Sequence, residues 1–519
     1  MARKRTSQAV VTPAQPRLAE ESAYYRVSPL RDAFPISAYY TALGPTPTDR
    51  LRDEGKAARA FEWTERHVQA AWHDPQLRPD ALKTSDGESV EVEDPGIWNL
   101  EAGPDFTGAV LRIGHERRRL AGDVEIHIHP ADWSRHGHQR DPRYRAVRFH
   151  VTYFPGRFES KDFPPGTVHI SLRAAIQREH RFALDTVDVT AYPYAARAPH
   201  PPCHAVLKQY SPDERRFVLE AAGQERLRRK AERLAIAMEE KGIEQAVYEE
   251  VMTALGYKNN KLPFRRLASL LPVTDWPALT GGDPVHAYAL LLGISGLMPP
   301  EPLPRWDDET RRFVRRLWRH WWRYQERFAS RALDARMWRL DGLRPANHPV
   351  RRLMAAAALF TSSPSLVERW KSISTGTTRG QEACRLVVHT LTNVRAAYWS
   401  RRMSLGSRPT GKPIALIGPE RAGALCANIT LPFWAAQGAK DSFIHEATAC
   451  LPSEPDNGLV KQTAHYLLGR DHAPSLYRAP VCKQGLLQIF HDFCLPDRTR
   501  CAACPLPAML LDAKKLHAD

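Results

Sequence analysis

Gly103-Pro-Asp105-Phe-Thr-Gly-Ala-Val-Leu-Arg-Ile113 and Ala121-Gly-Asp123-Val-Glu125-Ile-His127-Ile-His129 are the two stretches whose reading decides the fold. Phe106 to Ile113 and Ala121 to His129 each suit a strand, and the polar Gly114-His-Glu-Arg117 between them suits the turn of a hairpin. In an extended strand alternate side chains share a face. Val124, Ile126 and Ile128 therefore fall on one side, ready for burial, while Asp123, Glu125, His127 and His129 fall on the other. A turn centred near His115 sets Asp105 opposite Glu125. Two carboxylates that close repel each other unless a cation lies between them. Mg²⁺ or Mn²⁺ held there would activate water and stabilise charge on a phosphodiester.

Working outward, Lys56 to Trp72 has helical spacing, with Phe61, Val68 and Trp72 on one face and Glu62 and Glu65 beside it. Ser89 to Glu93 alternates as a strand. A His-rich loop and a short helix near Asp141 to Tyr144 lead to another strand from Val147 to Phe154. The order is helix, three strands, helix, strand.

Gly103-Pro104-Asp105, followed after a strand and turn by Glu125-Ile126-His127, resembles the PD-(D/E)XK nuclease signature, and the element order resembles that superfamily's α-β-β-β-α-β core. The resemblance implies an α/β N-terminal domain in which Asp105 and Glu125 bind Mg²⁺ or Mn²⁺ and Glu62 or Glu65 assists. The usual Lys is replaced by His127, which would orient or deprotonate the attacking water. Asp123 and His129 are reserve ligands. The wider blocks Asn99 to Phe106, Gly122 to His127, Asp132-Trp133, His136-Gly-His138, Arg344-Pro-Ala-Asn347 and Gln484-Gly-Leu-Leu-Gln488 resemble an uncharacterised bacterial domain-of-unknown-function family, which implies kinship and no activity.

The histidines support a rival centre. His127, His129, His136, His138 and Asp132, with Asp141 nearby, would suit Zn²⁺ or Mn²⁺ in a metallohydrolase acting on a small substrate. His127-x-His129-x-x-Asp132 is partly similar to the metallo-β-lactamase motif, with the Asp one residue too far along. A third possibility is a nucleic-acid-binding protein that keeps the fold without turnover.

Charge points to a polyanionic partner. The 519-residue chain carries a net charge of +16, with 43% hydrophobic and 25% charged residues, which describes a folded chain of several domains. Two helical segments are candidates for gripping DNA or RNA phosphates. One holds Arg226, Arg228, Arg229, Lys230 and Arg233. The other, Arg311 to Tyr324, places Phe313, Leu317 and Trp321 on a core stripe with Arg312, Arg316 and Arg319 around it. Ile417-Gly-Pro-Glu-Arg-Ala422 faintly resembles a helix-hairpin-helix turn. No membrane-spanning or secretory segment is evident, so a cytoplasmic protein is expected.

Cys482, Cys494, Cys501 and Cys504 crowd together near the end of the chain and suit Zn²⁺ or a [4Fe–4S] cluster. Cys494-x6-Cys501-x2-Cys504 resembles the cluster loop of endonuclease III-type glycosylases, lacking its fourth, downstream Cys. A Cys-rich tail behind a nuclease core is also similar to the iron–sulfur nucleases. The expected organisation is a basic flexible tail over 1–20, a nuclease-like α/β domain over 21–200, a mainly helical basic region over 201–475 and a Cys-rich metal module over 476–519.

Overall fold

A computed structural model describes residues 30, 33–43, 64–99, 103–156, 158–178, 187, 189, 192, 202–257, 259–451, 458–469, 472–495, 501 and 504–516. The expected basic tail, the helix start at Lys56, Glu62, and most of the Pro-rich segment after Tyr192 lie outside the described residues.

The N-terminal unit is a seven-stranded sheet. Its strands are β1 (Leu82–Lys83), β2 (Ser89–Asp94), β3 (Ile97–Trp98), β4 (Phe106–Ile113), β5 (Arg118–His127), β6 (Val147–Thr152) and β7 (Val168–Ser171). They follow the order β1-β2-β4-β5-β6-β7, with β3 beside β4. The pairs from β1 to β5 are antiparallel, whereas β5-β6 and β6-β7 are parallel. Thr84 bridges to Ile170, and the Ser85 amide donates to the His169 carbonyl at 2.8 Å, so the sheet nearly closes into a barrel. The helix α1 (Glu65–His73) packs Val68, Ala71 and Trp72 against Phe106, Leu111, Val124, Ile126, Phe149 and Val151.

The hairpin forms as its spacing predicts. Gly114 and Arg117 take the positive φ angles that a tight turn demands, and Ile113 pairs with Arg118. A bulge between Phe106 and Ala109 shifts the register by one, so Phe106 pairs with Val124 and Asp105 comes opposite Glu125. Between β5 and β6 the chain makes only the four-residue helix α2 (Asp132–Arg135) and two 3-10 turns, His138–Arg140 and Pro142–Ala146. This segment covers the polar face of β5.

The rest of the described chain is mainly helical. Its longest helix is α3 (Pro212–Lys241), opened by the reciprocal bonds of Ser211 with Glu214. Leu227, Val251, Leu290, Leu353 and Trp434 belong to its large buried core. In α4 (Asp308–Trp321), Leu317 and Trp321 of the expected stripe are buried and Phe313 packs half-buried against the core, while Val314 is buried beside them. The helix α5 (Pro480–Ile489) crosses α3 where Gly223 and Gly485 let the backbones touch: a Cβ at Gly223 would meet the Val481 carbonyl oxygen at 2.0 Å. The short helix Ser37–Leu43 joins this helical body, with the Tyr40 hydroxyl donating to Asp492 at 3.0 Å. The C-terminal helix Leu506–Leu516 also packs into that cluster, so the Cys-rich end shares a core with α3. No described helix is long and apolar enough to cross a membrane.

Candidate metal centre

Strand alternation builds the site. With Val124 and Ile126 in the barrel core, Glu125 and His127 face the other way, toward Trp133 and the covering segment. The neighbouring strands carry the same pattern. Phe149 and Val151 enter the core, which leaves His150 on the polar face, in register with Glu125 on one side and His169 on the other. The covering segment brings His136 and His138 down onto His127.

His138 Nε2 lies 3.2 Å from His127 Nε2 and 3.1 Å from Glu125 Oε1, and His127 Nε2 lies 3.5 Å from the same oxygen. His136 joins them: His127, His136 and His138 each offer a ligand atom within 4.8 Å of the others. Glu125, His127 and His138 are all buried, and His136 is half-buried. Burial holds the Glu125 carboxyl well above its ordinary pKa and holds the His127 imidazole well below its own.

The far side of His127 continues as a relay. Its Nδ1 meets His150 Nε2 at 3.0 Å, and His150 Nδ1 meets His169 Nδ1 at 3.2 Å. Burial lowers His150 to about 3 and His169 to about 4, so both rings are neutral at ordinary pH. Trp133, anchored by its N–H to the Asp162 carbonyl at 2.8 Å, packs against His138 and His150, while Phe158 stacks on His169. Tyr144 covers His138 with ring centroids 3.9 Å apart. Burial, with the Glu125 and Asp105 carboxylates, keeps its hydroxyl protonated.

Asp105 stands beside this centre and bonds to protein groups around it. Its amide donates to Glu125 Oε2 at 3.1 Å, while its own carboxylate accepts from Gln69 Nε2 at 2.6 Å and from the Ile126 amide at 2.9 Å. Gln69 of α1 thus reaches Asp105; Glu65 opens the helix, half-buried. Arg66 lies over Trp98 at 4.3 Å and donates to Gln69, and burial lowers its pKa to about 10 despite Asp105. Asp123 serves the bulge by accepting from the Gly108 amide at 3.0 Å. His129 is exposed and stacked on Phe154. Asp132 accepts from the His129 amide and pairs with Arg135, and Asp141 caps a 3-10 turn and pairs with Arg143.

Sequence reasoning missed Gln69, His150 and His169. The last two carry a readable signal: in Val147-Arg-Phe-His150-Val-Thr152 and Val168-His169-Ile-Ser171 the histidine occupies the polar position of an alternating strand.

The other expected residues lie elsewhere. Arg228 and Arg229 clamp the buried Glu225 at 2.7 Å each. Arg226 donates to Gln484 at 3.0 Å, and Lys230 bonds to Asn428 and Gln484. These four cations are therefore committed to partners inside the helical body. Arg312, Arg316 and Arg319 are exposed on α4. Cys482 is buried with its thiol 3.9 Å from Glu220 Oε1, and burial pushes its pKa up to about 12; Cys494, Cys501 and Cys504 are half-buried.

A family model described as "Protein of unknown function (DUF2851)" matches residues 65–452, and the chain belongs to that family. The matched span starts with α1, contains every residue of the histidine centre and stops short of Cys482. No curated protein and no solved structure matches the chain.

Proposed function

We propose that the chain is a metal-dependent phosphodiesterase acting on DNA or RNA, with a divalent cation held by Glu125, His127 and His138. The observation that carries this reading is the spacing of three donor atoms at 3.1, 3.2 and 3.5 Å. Ligands bound tetrahedrally at about 2.0–2.1 Å stand roughly 3.3 Å apart, so the donor set fits a cation without rearrangement. Two imidazoles and one carboxylate favour Zn²⁺ or Mn²⁺ over Mg²⁺, and His136 is at hand as a fourth ligand. A cation there also compensates the cost of an ionised, buried Glu125.

When bound, such an ion lowers the pKa of water and stabilises negative charge on a phosphoryl group. The chain's own residues supply the rest. Asp105, fixed by Gln69 and the Ile126 amide, adds a second negative charge beside Glu125. Tyr144, kept protonated, offers an O–H to an anionic oxygen. Arg135, Arg140, Arg143 and Arg145 are exposed on the covering segment and draw a phosphodiester toward it. The succession of a helix, an antiparallel meander and a parallel crossover strand supports the nuclease resemblance. Closure of the sheet through Thr84 and Ile170, and a short cover in place of a long helix, are departures from it.

The depth of the centre favours a second reading, hydrolysis of a small anionic substrate, because Trp133 and Tyr144 lie over the buried ligands. The test is cleavage of labelled single- and double-stranded DNA and RNA, beside a small chromogenic phosphodiester, with Zn²⁺, Mn²⁺ or Mg²⁺. Nucleic-acid cleavage lost in both Glu125→Ala and His138→Ala supports the nuclease. Cleavage of the small ester alone supports the second reading, and binding without cleavage supports a non-enzymatic nucleic-acid-binding protein. Zinc or [4Fe–4S] at Cys482, Cys494, Cys501 and Cys504 is a separate, structural proposal for the C-terminal end.

A further inference from the structure

The outer face of α4 differs from the cationic face of α3. Arg312, Arg315, Arg316 and Arg319 are exposed there, and Trp322 and Arg323 extend the same face beyond the last helical turn. Positions 312, 316 and 319 fall in one row of the helix, and Arg323 lies in the turn that follows it. Among the described residues Arg312, Arg315, Arg319 and Arg323 make no ion pair; Arg316 pairs with Asp283 at 2.7 Å, and Arg311 with Asp308. On α3, by contrast, Arg228 and Arg229 are held by Glu225. Trp322 is 62% exposed, although its neighbours in the segment are engaged: Trp321 is buried and Trp318 donates its N–H to the Pro299 carbonyl at 3.1 Å. The Trp318 ring lies 5.7 Å from that of Trp322 and supports it from one side.

We infer that this face binds single-stranded nucleic acid, with the arginine row neutralising phosphates and Trp322 stacking on an unpaired base. Charge complementarity selects a polyanion. The exposed indole selects an unpaired base, because a duplex keeps its base faces within its own stack. A bilayer surface does not fit, since among the described residues Trp322 is the sole large apolar side chain exposed on this face and membrane anchoring needs a broad apolar one. The surface is independent of the histidine centre: it needs no metal and none of its residues belongs to that site.

The experiment is fluorescence anisotropy of the full chain in EDTA with an oligothymidylate of about 20 nucleotides and a duplex of equal length, across a salt series. Removing metal separates this surface from any failure of the catalytic reading. Three variants are compared with wild type: Trp322→Ala; Arg315→Gln with Arg319→Gln and Arg323→Gln; and a control removing equal charge from the exposed Arg401, Arg408 and Lys412. Trp322→Ala is expected to weaken single-strand binding about tenfold or more, with Trp322→Phe recovering part of it. The arginine triple should reduce the salt slope by about 2, at roughly 0.7 per phosphate contact on a single strand. Wild-type affinity in Trp322→Ala, equal losses in the arginine and control triples, or tighter binding of the duplex would each overturn the inference.

Discussion

His138 Nε2 and His127 Nε2 face each other at 3.2 Å, with Glu125 Oε1 within 3.5 Å of both. Two imidazole nitrogens that close require a shared proton or a shared cation. The other nitrogen of His127 meets His150, so a proton on His127 Nδ1 can be donated there, leaving Nε2 as a lone pair aimed at Glu125 and His138. A relay through His150 and His169 would in this way set the tautomer that a metal ligand needs.

Removing that support should weaken binding of a divalent cation by the proposed ligands without altering them. His150→Phe keeps the ring volume and abolishes the acceptor for His127 Nδ1. Metal affinity, measured by competition with a chromophoric chelator, is expected to fall about 10- to 100-fold. Unchanged affinity would mean that His127 is oriented by packing alone.

Close backbone contact between α3 and α5 leaves no room for a methyl group. A Cβ at Gly485 would meet the Leu219 carbonyl oxygen at 1.9 Å. Gly485→Ala is therefore expected to lose at least about 2 kcal/mol in denaturant unfolding, as overpacking typically does. Gly376→Ala, where a Cβ meets nothing within 4 Å, should stay within about 1 kcal/mol of wild type.

His67 should make the α/β unit sensitive to acid. Its Nδ1 accepts from the Thr64 amide at 3.1 Å, and burial lowers its pKa to about 4 from an ordinary 6.5. The folded state resists protonation that the unfolded state accepts, so this contribution is complete above pH 6.5 and is lost as pH falls toward 4. The loss amounts to at most about 3 kcal/mol. Thermal unfolding midpoints against pH should fall less steeply for His67→Gln than for wild type over that window.

The cysteines should separate by reactivity. With its pKa pushed up to about 12, Cys482 should alkylate far more slowly at pH 8 than the half-buried Cys501. Mass mapping after a timed iodoacetamide pulse reads this directly. Equal protection of Cys482, Cys494, Cys501 and Cys504, relieved by a chelator, would instead support metal at that end of the chain.

Much of the N-terminal unit was legible because β structure writes a period of two into the sequence. The limits of β4, the hairpin turn and the placing of Asp105 opposite Glu125 all follow from that period and the spacing. The ligand set was less so. His138 reaches His127 only because α2 and the 3-10 turns fold the covering segment back over β5, a tertiary event with no local signature. His129 alternates correctly but falls past the end of the strand, where its ring turns to Phe154. The cations of α3 looked like a phosphate grip because the acidic partners Glu225 and Asp492 are hidden by burial and by long sequence separation.

The central claim is that Glu125, His127 and His138 hold a divalent cation. Calorimetric titration of the EDTA-treated full chain with Mn²⁺, a poor match for thiolates, tests it most directly. The account predicts one site per chain in the wild type and loss of that site in both Glu125→Gln and His138→Ala, with the variants still folded. Absence of binding in the wild type, or an undiminished site in His138→Ala, would contradict it.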